Sequence, residues 1–205
     1  MRLKILACVS VWVLSTMPAA AQVRSSEQAR VDIGLMLGWT SASDAGGVLQ
    51  FRRATTYQAT FNLGIWSTSG VAVSLEVPFL ASPAFEVANS GSLLPKEYAS
   101  LYLTPGVRVT TRAARPVSIF GAVGAGYARY SESKTHLDGS PNPDQRDTNT
   151  GAIQFGGGVD VGALRWLGFR AEVRDVYTGA RKFSIATPGA RVHNLVGSGG
   201  FVLRF

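Results

Sequence analysis

Apolar and polar positions alternate one by one along most of this chain. In VDIGLMLGW, Val31, Ile33, Leu35, Leu37 and Trp39 share one parity, and Asp32, Gly34, Met36 and Gly38 the other. A period of two puts alternate side chains on opposite faces of a strand. YQATFNLGI repeats it with Tyr57, Ala59, Phe61, Leu63 and Ile65 on one face, and VAVSLEVPF with Val71, Val73, Leu75, Val77 and Phe79. Five further segments follow: Tyr98 to Thr110, Val117 to Tyr130, Gly151 to Val161, Trp166 to Tyr177, and Val192 to Phe205. The pattern predicts an all-β fold of eight strands. Each runs to about ten residues or more, the length a tilted strand needs to cross the hydrocarbon layer of a bilayer.

The connections predict the topology. Long polar or Pro/Gly-bearing stretches, such as SASDAGGVLQFRRAT and SESKTHLDGSPNPDQRD, alternate with the short links STSG, TRAARP and ALR. Strict long-short alternation sets all the long loops at one end of an antiparallel up-and-down barrel and the tight turns at the other. Periodicity alone also fits a soluble barrel with its apolar face inside. Two features favour the membrane form. First, the less apolar parity carries Asp32, Glu76, Arg108, Asp160, Arg170, Glu172, Arg174 and Arg204. A small membrane barrel has a polar lumen to hold such groups. The balance of acids and bases predicts that they pair there, since an unpaired buried charge is costly. Second, Trp39, Tyr57, Phe79, Tyr98, Tyr127 and Tyr177 fall near the long-loop end, and Trp66, Trp166 and Phe205 near the other. Amphipathic rings favour the two membrane interfaces, so these predict a pair of aromatic girdles.

The start of the chain adds a compartment. Met1 to Ala21 has a basic beginning (Arg2, Lys4), an apolar run from Ile5 through Leu14 and the small residues Ala19, Ala20 and Ala21. This is the pattern of a cleaved secretory signal peptide, leaving Gln22 to Phe205 as one barrel domain. Cys8, the only cysteine, falls inside it, so the exported chain is expected to have no disulfide. The net charge is +7, but the basic residues are scattered. An exported chain of this kind is expected to face anionic lipid heads rather than nucleic acid.

With these features in view, the chain resembles the small bacterial outer-membrane β-barrel proteins of the OmpA and OmpX membrane-domain type. The resemblance is strongest in GAIQFGGGVDVGALRWLGFRAEVRDVYTG and HNLVGSGGFVLRF, which look like that superfamily's last three strands. It implies a bacterial outer-membrane location reached through the periplasm, contact with membrane lipid and lipopolysaccharide, and a monomer. It also implies that Phe201, Leu203 and Phe205, on one outward parity of the last strand, form the signal read by the barrel-assembly machinery. No further globular domain is expected after that strand.

Chemistry beyond this is sparse. The histidines are His136, in the third long loop, and His193, early in the last strand. His193 has the outward parity of a lipid-facing catalytic group, yet Asn194, Leu195 and Val196 follow it, so the His-x-Ser spacing of an outer-membrane lipid hydrolase is missing. No catalytic residue, metal ligand set or cofactor site is predicted. The loop acids Asp138, Asp144 and Asp147 lack an EF-hand pattern, and the glycine-rich stretches sit inside strand patterns with no following helix. Two roles remain open. One is a structural and surface-interaction platform acting through four exposed loops, with no partner named by the sequence. The other is a narrow conduit for small ions or a small apolar solute, opposed by bulky inward groups such as Arg108, Arg170, Arg174 and Tyr102. A lipid-modifying hydrolase is a distant third.

Overall fold

The structure is a computed structural model that describes residues 31–42, 53–86, 96–114, 116–144, 147–179 and 191–205. The expected signal peptide, the segment that follows it to residue 30, and the larger parts of the first, second and fourth long connections lie outside the described residues. Nine strand segments follow in order: β1 (Val31–Ala42), β2 (Ala54–Ser67), β3 (Val71–Glu86), β4 (Glu97–Leu103), β5 (Gly106–Ala114), β6 (Val117–Glu132), β7 (Asp147–Gly162), β8 (Leu167–Thr178) and β9 (Val192–Arg204).

Every pairing is antiparallel, and β9 returns to β1, with Leu203 opposite Ile33 and Phe201 opposite Leu35. The sheet therefore closes into a barrel without an unpaired edge. Segments β4 and β5 are two halves of one strand, so the barrel is eight-stranded and up-and-down. The break has a local cause. Leu103 pairs with Phe79 and Gly106 with Glu76 on β3, leaving Thr104 and Pro105 facing Val77 and Pro78. Neither proline has an N–H for the ladder. Gln154, reaching from β7 through the lumen, donates its Nε2 to the Thr104 carbonyl at 3.4 Å. The fourth strand thus differs from its predicted span of Tyr98 to Thr110 in being longer and interrupted.

Alternation sorts the side chains. On β1, Leu35 and Leu37 are more than half exposed on the outer wall, whereas Met36 between them is buried inside. On β8, Phe169 and Val173 face out, and Arg170 and Arg174 are buried within. A protein with its outer wall in water would reverse this arrangement. At the long-loop end the third connection folds as a small hairpin, with Thr135 bridged to Pro141 and Asn142 N donating to Lys134 O at 2.8 Å. Gly139 supplies its one turn residue of positive φ, at 83°, where a side chain would be strained.

Candidate functional site

The lumen is layered. Nearest the short turns, Asp160 collects the cations. Arg170 donates to it in a bidentate fork, Nε to Oδ1 at 2.7 Å and Nη2 to Oδ2 at 3.0 Å. Arg108 Nη2 reaches the same Oδ2 at 2.7 Å, and Arg204 Nη2 stands 3.7 Å away. Asp32 is 4.0 Å from Arg170. The Phe120 ring lies 3.5 Å beneath the Arg108 guanidinium, covering a charge with a ring face. Midway up, Arg174 bridges Glu172 on its own strand and Glu76 on β3, the latter at 2.5 Å, and donates to Gln154 Oε1 at 3.1 Å. Gln58 holds Glu172 and accepts from Ser198 Oγ at 2.9 Å. The eight charged residues singled out in the sequence all face the lumen, in two clusters rather than one. Two-residue spacing on β8 explains this, since Arg170, Glu172 and Arg174 share a face and step up the bore one after another.

Above the ionic layers the lumen turns apolar. Leu80, Phe85, Tyr98, Tyr102, Tyr130, Val176 and Val196 are at most 2 % exposed. The Phe85 and Tyr98 rings stack at 4.7 Å, and Tyr130 meets Tyr98 and Tyr102 edge-on at 6.1 and 5.9 Å. Beside them Thr40, Thr56 and Ser82 form a hydroxyl cluster, with Thr56 and Ser82 2.8 Å apart. Tyr130 OH is 2.8 Å from Thr178 Oγ1. This aromatic layer was not read from the sequence as a unit, because its members come from different strands. Inward parity was the available signal for all of them but Phe85, which turns inward through the irregularity between Ser82 and Phe85 on β3.

The outer wall carries most of the predicted girdle. Trp39, Tyr57 and Tyr127 are exposed near the long loops, with Tyr177 half-buried beside them, and Trp66, Trp166 and Phe205 are exposed at the opposite end. Tyr98 is a correction. It is buried in the lumen, because the register runs unbroken across Thr104 and Pro105 and so Tyr98 keeps the inward parity of Arg108. Phe79 is a second correction: β3 continues to Glu86, which leaves Phe79 in mid-strand on the outer wall. Trp66 escapes its inward parity through a bulge between Gly64 and Trp66. Phe201 and Phe205 are exposed on the outer wall, with Leu203 between them, and Phe205 N donates to Val31 O at 2.9 Å, fastening the end of β9 to the start of β1.

His193 gains a partner that sequence spacing did not supply. Its Nδ1 lies 2.7 Å from Asp175 Oδ2 on the neighbouring strand, and its ring packs on Tyr177 at 4.6 Å. Residues 18 apart in sequence meet here only through the β8 to β9 register. Among the described residues no group of three or more His, Cys, Asp or Glu side chains could hold a metal ion. In the third-loop hairpin, Ser140 donates both its N–H and its hydroxyl to Asp138, holding that carboxyl below the ordinary aspartate range.

The architecture has counterparts among solved structures. The chain is similar to Ail, the attachment invasion locus protein of Yersinia pestis, at 12 % identity and a TM-score of 0.53, with 86 % of this chain and 99 % of that one covered. It is also similar to Neisserial surface protein A, at 13 % identity and a TM-score of 0.57 over 85 % and 97 %. At such identities the likeness is one of fold. Comparison with curated proteins finds no match to the sequence. The family described as outer membrane protein beta-barrel domain matches residues 6–205, nearly the whole chain, and to that family of outer-membrane barrels this protein belongs.

Proposed function

We propose that this outer-membrane barrel is a closed structural platform that meets its partners through the loops at its long-loop end. One observation carries the reading: among the described residues, large buried side chains cross and occupy the lumen in successive layers. Arg174 reaches across it to Glu76, and the buried Phe85, Tyr98, Tyr102 and Tyr130 rings occupy the half above. An eight-stranded barrel has room inside for side chains and little else, and here that room is used. A bore for ions would need Arg174 to leave two carboxylates that would then be buried without their partner. With the interior occupied, what the protein offers to other molecules is its outer wall and its loops.

The wall reads as lipid-facing, and the outward row of Phe201, Leu203 and Phe205 on the closing strand is the surface we assign to recognition by the assembly machinery. The third-loop hairpin, pinned by its backbone bonds and by Asp138, is a preformed element for contact with a surface partner. Conductance tests the reading. The refolded protein, shown to be folded by its unheated gel mobility, is expected to be silent in a planar bilayer. Stable discrete openings would replace the platform with a conduit.

A further inference from the structure

Among the described residues the outer wall has a hollow. Where most positions carry branched or aromatic side chains, a groove of about 290 Å³ lies between Trp39 and the neighbouring strands, with Gly157, Ala171, Val173 and Gly197 on its outward face. The registers place Gly157 opposite Val173, Val173 opposite Gly197 and Gly197 opposite Trp39 at one level, with Ala171 one outward position below Val173. The absence of a side chain at Gly197 is required, because a Cβ there would stand 2.6 Å from the Trp39 ring. The Trp39 ring can therefore lie along the wall and form one side of the groove.

Directly above the groove, toward the long loops, the wall becomes polar. Asp175 follows Val173 by one outward position, and Tyr177 pairs with His193 across to β9. Asp175 holds Nδ1 of His193, whose side chain is 57 % exposed. A carboxylate on Nδ1 fixes the tautomer in which Nδ1 carries the proton and Nε2, on the opposite ring edge, accepts. Arg191, the next outward residue on that side, stands with its guanidinium 5.8 Å from the Tyr177 ring. Above the groove, past Asp175 and the exposed Leu195 opposite it, the wall thus presents an acceptor, a cation and an aromatic ring.

We propose that this face binds one lipid of the outer leaflet that bears a phosphate and a hydroxylated headgroup. Its acyl chain fills the groove against Trp39, its phosphate meets Arg191, and a headgroup hydroxyl donates to His193 Nε2. Asp175 is a positioning residue, setting the imidazole rather than touching the lipid. The occupant is a lipid because the groove opens onto the membrane-facing wall, so the assignment rests on the family's orientation in the membrane.

Trp39 reports on the site. The full chain with Trp12, Trp66 and Trp166 changed to Phe keeps Trp39 as its tryptophan, and it is refolded into phosphatidylcholine vesicles containing a small fraction of lipid brominated on its acyl chains. Brominated phosphatidylglycerol, which carries both phosphate and hydroxyls, is expected to quench Trp39 with a relative binding constant about tenfold above brominated phosphatidylcholine, the ratio that about 1.4 kcal/mol produces. Ala171→Phe, which fills the groove, and His193→Leu, which removes the acceptor, are each expected to bring the two lipids level. Gel mobility before heating establishes folding in every sample. Equal quenching by both lipids in the parent chain, or a preference that survives both substitutions, overturns the proposal. The first result would show ordinary boundary lipid and the second a diffuse attraction to basic residues.

Discussion

Arg174 on β8 and Glu76 on β3 meet inside the barrel at 2.5 Å, although 98 residues separate them in sequence. The same guanidinium also serves Glu172, so one cation holds two buried carboxylates in place. Removing it is therefore expected to cost more than removing the whole group. Arg174→Met should destabilise the folded barrel by about 3–5 kcal/mol, the usual cost of leaving a buried charge without its partner. The triple change that adds Glu76→Gln and Glu172→Gln should recover most of that loss. Equilibrium unfolding in urea from lipid vesicles measures both, and equal losses would contradict a cooperative cluster.

The outward assignment of the apolar parity can be challenged with a single charge. Leu35 is 57 % exposed at the middle of β1, and Leu35→Arg is expected to cost about 2–4 kcal/mol at mid-membrane depth, with Leu203→Asp costing less. Folding yield into vesicles and unheated gel mobility report the effect. Unchanged values for Leu35→Arg would mean that this face does not meet hydrocarbon.

Opening the aromatic layer separates the two barriers in the lumen. Tyr98→Ala together with Tyr102→Ala removes two fully buried rings, each worth about 3–5 kcal/mol by analogy with other large-to-small core changes. Such a variant is expected to be less stable yet still silent in a planar bilayer, because the Arg174 cluster below is intact. Conductance appearing on loss of the rings alone would show that the ionic layers do not seal.

Outside the membrane-spanning strands, Asp138 provides a pH signature. Ser140 lowers its pKa from the ordinary 3.8, so the ionised carboxylate is the form that the hairpin turn favours. The stabilisation is complete above the unfolded value and is lost as pH falls through the lowered folded value. At neutral pH the turn is therefore unaffected by small changes. Ser140→Ala should move the Asp138 titration back toward 3.8. An NMR titration that finds Asp138 at its ordinary value in the parent chain would contradict the turn geometry.

Much of this architecture was legible in the sequence because a barrel wall obeys a strict period of two. Parity alone sends Asp32, Glu76, Arg108, Asp160, Arg170, Glu172, Arg174 and Arg204 inward, and long-short alternation of the connections orders the strands. What parity leaves out is register, the sliding of one strand against the next. Without it the partners of Asp160 could not be assigned, nor could the meeting of His193 with Asp175. Tyr98 shows the opposite failing: its position near a strand end suggested a girdle, while its parity with Arg108 already pointed inward. Trp66 needed a bulge, which is a local departure that alternation cannot announce. The groove beside Trp39 was hidden for another reason. It exists because small residues on three adjacent strands, Gly157, Ala171 and Gly197, gather beside Trp39, and the sequence shows only scattered glycines.

The interruption between β4 and β5 has a mechanical consequence. In a closed sheet every seam shares the load, and a seam that lacks donors is a crease. At the crease Pro78 cannot donate to Thr104, and a side chain, Gln154, reaches over β6 from β7 to take its place. On the β6 side Ala125 N still donates to Pro105 O at 3.1 Å, but on the β3 side continuity at that height is delegated to a group that also steadies Arg174. Disturbance of the central charge cluster and loosening of the wall at the crease become a single event, so the stiffness of this barrel is governed from its interior.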